Sequence, residues 1–130
     1  MTSVNYLAAA GRLMIAAIFL ASGVQKLLTP EQTQQYIASV SIPMPVVAYW
    51  VAVAVEIIGG ACLVVGFGTR SAALALAAFA LATAIGVHNN FADTQQFIHF
   101  MKNIAIAGGL LQVVSFGSGG LSISSRKSWI

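Results

Sequence analysis

Residues 46–65 read VVAYWVAVAVEIIGGACLVV, an apolar run of membrane-spanning length with one carboxylate, Glu56, near its centre. A span of the hydrocarbon core needs about 20 such residues. An acid at mid-depth costs roughly 2.5–3.5 kcal/mol on insertion scales, so it is expected to face the protein interior and to have a partner. Ala52, Glu56, Gly59 and Gly60 recur at i, i+4, i+7 and i+8, which puts the acid among small residues. In a bilayer, small residues mark close helix–helix seams.

Outward from that stretch the chain keeps the same character. It has 130 residues, 58% hydrophobic and 7% charged, against roughly 25% charged residues in an ordinary soluble domain. The expected fold class is therefore an all-α membrane protein in a single domain, residues 1–130. Four spans at about 7–28, 46–65, 71–87 and 98–116 form a bundle, with a short interfacial helix after the first and a flexible tail at 117–130. The net charge of +3 is spread along the chain, and with no basic cluster a nucleic-acid partner is excluded. The single cysteine, Cys62, rules out an intrachain disulfide. The basic run-up and Ala21-Ser22-Gly23 look superficially like a secretory signal, but three further apolar runs follow, so an uncleaved first span is expected.

In the first span Arg12, Phe19, Ser22 and Lys26 share a face at helical spacing, with Gln25 beside them. Thr29-Pro30-Glu31 opens the interfacial helix, with Thr29 placed to cap it and Tyr36, Ile37 and Val40 offered to the membrane surface. Tyr49 and Trp50 stand where amphipathic rings prefer the interface. Gly66-Phe67-Gly68 forces a tight turn into an Ala/Leu-rich third span that ends at His88. Asp93 or Thr94 is placed to cap the fourth, which carries Lys102 and Asn103.

The N-terminus, second loop and C-terminus collect Arg12, Arg70, Arg126 and Lys127, against Lys26 and Lys102 on the other side. By the positive-inside rule both termini are expected in the cytoplasm. Ser22, Gln25, Lys26, His88, Lys102 and Asn103 then gather in the outer half of the bundle, with Glu56 beneath them and Arg12 nearer the inner side. Arg12, Lys26, His88 and Lys102 are the candidate partners of Glu56, and the spacing does not choose among them. One reading is a polar pocket opening outward, formed by Arg12, Gln25, Lys26, Glu56, His88, Lys102 and Asn103. It would suit a proton, a small anion or a quinone-like headgroup. The other is an ion-pair network that only fastens the helices. No flavin, haem or metal motif is present, and no catalytic residue can be assigned.

Gly11-Arg12, Ser22-Gly23-Val24-Gln25-Lys26-Leu27, Val55-Glu56-Ile57-Ile58-Gly59-Gly60, Gly66-Phe67-Gly68-Thr69-Arg70 and Lys102-Asn103-Ile104-Ala105-Ile106-Ala107-Gly108-Gly109 stand in that order. In this the chain resembles the DoxX family of small four-helix bacterial inner-membrane proteins. The resemblance implies a multi-pass inner-membrane protein associated with redox systems, quinone-linked or tied to oxidative stress, with oxidoreductase chemistry as an analogy only. It leaves the cofactor open, since any electron transfer would need a borrowed cofactor or a membrane quinone, and it makes redox proteins the implied partners beside the bilayer itself. A scaffold or assembly factor, and a small oligomeric proton or anion transporter, are the alternatives; the transporter would require a homo-oligomer.

Overall fold

The structure is a computed structural model and describes residues 3–88 and 90–121. Five helices follow one another: α1 (Ser3–Leu28), α2 (Pro30–Ser39), α3 (Pro45–Val65), α4 (Thr69–Gly86) and α5 (Thr94–Phe116). All but α2 are long and apolar enough to cross a membrane, and the described residues contain no strand. The protein is a four-span helical membrane bundle.

The helices outrun the apolar windows that reveal them. α1 begins at Ser3 rather than near Leu7, α4 at Thr69 and α5 at Thr94, four residues ahead of Ile98. Hydropathy reports where side chains suit lipid, whereas backbone hydrogen bonding continues to the cap. Asp93 is that cap for α5, accepting from the Gln95 backbone N–H at 2.9 Å. Thr29 does not cap α2 with its side chain. Its hydroxyl instead donates back to the Gln25 carbonyl, 3.0 Å away, closing the last turn of α1. The tail beyond Leu121, with Arg126 and Lys127, and also Asn89, lie outside the described residues.

α1 packs along α3 and α4 along α5, with the two pairs joined by the α3–α4 turn and α2 lying on α3. At that turn Gly66 and Gly68 take φ of 74° and 60°, a conformation in which a Cβ is strained. The Gly66 N–H donates to the Cys62 carbonyl at 2.9 Å, ending α3. A core of Ala16, Phe19, Leu63, Ala73, Leu76, Ala77, Ala80, Ala107 and Leu110 fills the bundle. Five of these nine are alanine, as expected where packing rather than solvent exclusion joins helices.

Gly59 and Gly60 make the seams possible. A Cβ on Gly59 would lie 2.9 Å from the Leu76 side chain, and one on Gly60 2.9 Å from Leu20. Leu76 is fully buried and cannot yield. Gly59→Val is therefore expected to cost about 2 kcal/mol by overpacking. Gly108, with open space where its Cβ would be, is expected to accept alanine with a gain of a few tenths up to about 1 kcal/mol in helix propensity. Unfolding of both variants in detergent, followed by helical circular dichroism, checks the contrast.

Two aromatic or aliphatic residues expected at the membrane surface turn inward instead. Ile37 of α2 and Tyr49 of α3 are buried together with Val53, while Trp50 and Tyr36 stay exposed. The Tyr49 hydroxyl donates to the Lys26 carbonyl at 2.9 Å. This satisfies one of the orphan carbonyls in the last turn of α1 and fixes the end of α1 to the start of α3.

Candidate functional site

Glu56 is 3% exposed, and its Oε1 lies 2.6 Å from Lys26 Nζ. The contact is an ion pair without the angle of a directed hydrogen bond. The Lys26 ammonium also donates to Ser22 Oγ at 2.8 Å, one turn back along α1. Helix geometry brings the two charges together. Side chains lean toward the N-terminus of their own helix, and α1 and α3 run in opposite directions. Lys26 therefore leans down into the bundle from the end of α1, and Glu56 leans up toward it from mid-α3.

Above the packed core the bundle holds a cavity of about 500 Å³, with walls drawn from all five helices. Its lining is mainly apolar, including Ile18, Phe19, Val51, Phe79 and Ile106. The polar part comprises Ser22, Lys26, Glu56, His88 and Asn103, with Thr33 and Thr83 beside them. Four of the seven residues singled out from the sequence, Lys26, Glu56, His88 and Asn103, thus face one space.

The other three do not line it. Arg12 lies on α1 fourteen residues before Lys26, about 21 Å along the helix. It is 3% exposed and donates to the backbone carbonyls of Leu63, at 2.7 Å, and Leu121. Gln25 and Lys102 point to the outside of the bundle.

His88 follows the end of α4, with its ring stacked on His99 of α5 at 5.0 Å between centroids. Its Nδ1 is buried without a hydrogen-bond partner among the described residues. Burial, and then the neighbouring His99, holds the His88 imidazole below its ordinary pKa. The ring is thereby biased toward the neutral form, with one nitrogen able to donate and the other to accept. No cluster of three or more metal-ligating side chains occurs among the described residues.

The residues that sequence reasoning missed come mostly from α2. Thr33, Tyr36 and Ile37 recur at helical spacing and close the cavity from above. That spacing is the signal that marks one face of α2 as a wall. Thr83 of α4 was hidden in an Ala/Leu-rich span, and its hydroxyl is occupied by the Phe79 carbonyl at 2.8 Å.

Among known proteins, the family model described as DoxX matches residues 7–89, from α1 through the end of α4. The fourth span, with Lys102 and Asn103, lies beyond that match. Similarity to whole proteins extends further. The chain is 35% identical over 123 residues to the inner membrane protein YqjF of Escherichia coli (strain K12), covering 91% of each chain. It is 33% identical over 120 residues to the inner membrane protein YphA of the same organism, covering 88% of this chain and 86% of the relative. No solved structure matches it. A family match over more than half the chain, relatives of the same length, and the four-span bundle lead to one assignment: the chain belongs to the DoxX family.

Proposed function

We propose that the protein is the membrane subunit of a redox-associated complex and that its cavity binds the headgroup of a membrane quinone. The observation that carries this reading is the Lys26–Glu56 pair, with its carboxylate buried, facing a mainly apolar space of about 500 Å³, within the range of small-molecule sites. Such a headgroup is a flat apolar ring bearing carbonyl acceptors. The Lys26 ammonium, the Asn103 amide and a His88 N–H are donors for those acceptors, and Phe19, Phe79 and Ile106 are walls for the ring. The orphaned His88 Nδ1 fits a ligand that supplies its partner.

When bound, a quinone supplies two-electron, two-proton chemistry; this chain's residues bind it, orient it and hold protons near it. The electrons come from a partner redox protein in the complex. The modest excess of basic residues on one side supports a cytoplasmic location for both termini, and on that reading the Lys26 end of the cavity lies in the outer half of the membrane.

A second reading is a scaffold or assembly factor, favoured by the way the Lys26–Glu56 pair ties α1 to α3. Purification in mild detergent from quinone-containing membranes separates the two. Quinone is expected to co-purify with the wild-type protein and to be lost in Asn103→Leu, which keeps the branched shape but removes the amide. A folded wild-type protein that carries no quinone, even after reconstitution with it, would leave the scaffold reading.

A further inference from the structure

We infer that the cavity opens sideways into the hydrocarbon of the bilayer and is loaded from there. Its occupant is a chain-bearing amphiphile whose head sits at the Lys26–Glu56 level while its tail stays among the lipids. This rests on the reading of the cavity as a binding site and adds the route and the shape of the ligand.

The helix pairs meet at discrete points below the cavity. α1 and α5 close where a Cβ on Gly109 would lie 3.3 Å from Ile15, and α3 and α4 close where Gly59 meets Leu76. Both contacts lie on the core side of the cavity, and past them the lining includes residues that also face outward. On the α1–α5 flank Ile18 is 48% exposed, and on the α3–α4 flank Val51 is 53% exposed and Ala82 is exposed. Ile18 is near the middle of the 26-residue α1, and Val51 is six residues into α3, about 9 Å from its start. At those depths a residue exposed on a spanning helix faces lipid tails. A cavity wall that is also a lipid-facing surface is a mouth.

The size of the space selects the occupant. A helix about 10 Å across would use nearly all of 500 Å³ in little more than one turn, so a partner helix does not fit. A ring-sized head with a flexible chain leaving through the mouth does. The polar groups cluster at one end and the apolar walls extend toward the flanks, which matches the head-to-tail polarity of such a molecule.

The opening can be read without any quinone. In a background of Trp50→Phe and Trp129→Phe, Phe79→Trp places a single reporter on the cavity wall, two residues from the middle of α4. In vesicles of phosphatidylcholine brominated along its chains, this reporter is expected to be quenched. Adding Ile18→Phe and Val51→Phe to plug the two flanks is expected to remove most of that quenching. The same plugs are expected to slow association of a decyl-chain benzoquinone about tenfold, as for other obstructed binding steps. Association of the tailless benzoquinone, which can arrive through water, is expected to be slowed less than that of the decyl-chain form. Quenching that ignores the plugs, in variants that remain monodisperse and helical, overturns the inference. If quenching responds to the plugs but neither quinone binds the wild type, the quinone reading fails and the sideways opening stands with a lipid chain as its occupant.

Discussion

Lys26→Met is expected to lower the unfolding free energy by about 3 kcal/mol, the low end of the range for breaking a buried ion pair by removing one partner. Methionine keeps most of the lysine stem, so packing is largely preserved and the loss isolates the charge. What remains is Glu56, 3% exposed, with Ser22 no longer bridged to it through the ammonium. The low end applies because the Lys26 side chain keeps 23% of its surface, so its own desolvation and attraction are both reduced. Glu56→Gln should cost less, about 1–2 kcal/mol, since the ammonium left behind keeps 23% of its surface and its bond to Ser22 Oγ.

The double variant Lys26→Met/Glu56→Leu is the informative one. Replacing both charges with apolar groups of similar volume is often near neutral, so most of the stability lost in Lys26→Met should return. Unfolding in sodium dodecyl sulfate titrations, followed by helical circular dichroism, gives the full double-mutant cycle. If Lys26→Met falls within roughly 0.5 kcal/mol of wild type, the pair contributes nothing and the carboxyl must be satisfied otherwise. The cycle also bears on function. A restored fold that has lost its quinone supports the ligand-binding reading, and a restored fold that retains it supports the fastener.

Much of this site is legible in the sequence because a carboxylate in hydrocarbon is too costly to be incidental, and Glu56 stands alone in an apolar run. Its small neighbours announce the seam at Gly59 and Gly60 for the same reason that lipid offers no hydrophobic force between helices. The choice of Lys26 over Arg12 or Lys102 needed more than depth. It follows from the opposed lean of side chains on antiparallel helices, which brings residues near the end of α1 down to mid-α3. Lys102 sits on the outside of α5 because helical rotation, not depth, decides its neighbours. Ile37 and Tyr49 illustrate a different limit. An apolar side chain suits a lipid surface and a protein seam equally well, so composition cannot tell which one it meets, and only the packing of α2 on α3 decides.

The sequence singles out Arg12 but not its partners, because these are backbone carbonyls, which every residue has. Leu63 lies in the last turn of α3, where carbonyls lack intrahelical donors and the helix dipole is negative. Arg12 reaches it with one nitrogen of its fork and Leu121 with another. Leu121 belongs to the segment that folds back after α5. There Ser118 is 2% exposed and the Gly120 N–H donates to Asn5 Oδ1 at 3.2 Å. One guanidinium thus joins α1, the end of α3 and the chain beyond α5. Arg12→Met is expected to cost about 3 kcal/mol, leaving one buried and one part-buried carbonyl without their charge-assisted donors. Arg12→Lys should recover only part, because an ammonium lacks the planar fork that spans two separate acceptors. Since Arg12 is remote from the cavity, the folded fraction of either variant should bind a benzoquinone headgroup with wild-type affinity. Unfolding curves paired with binding on the same samples test both halves. A lysine variant as stable as wild type would reduce Arg12 to a point charge, and lost binding in well-folded protein would couple the two ends of the bundle.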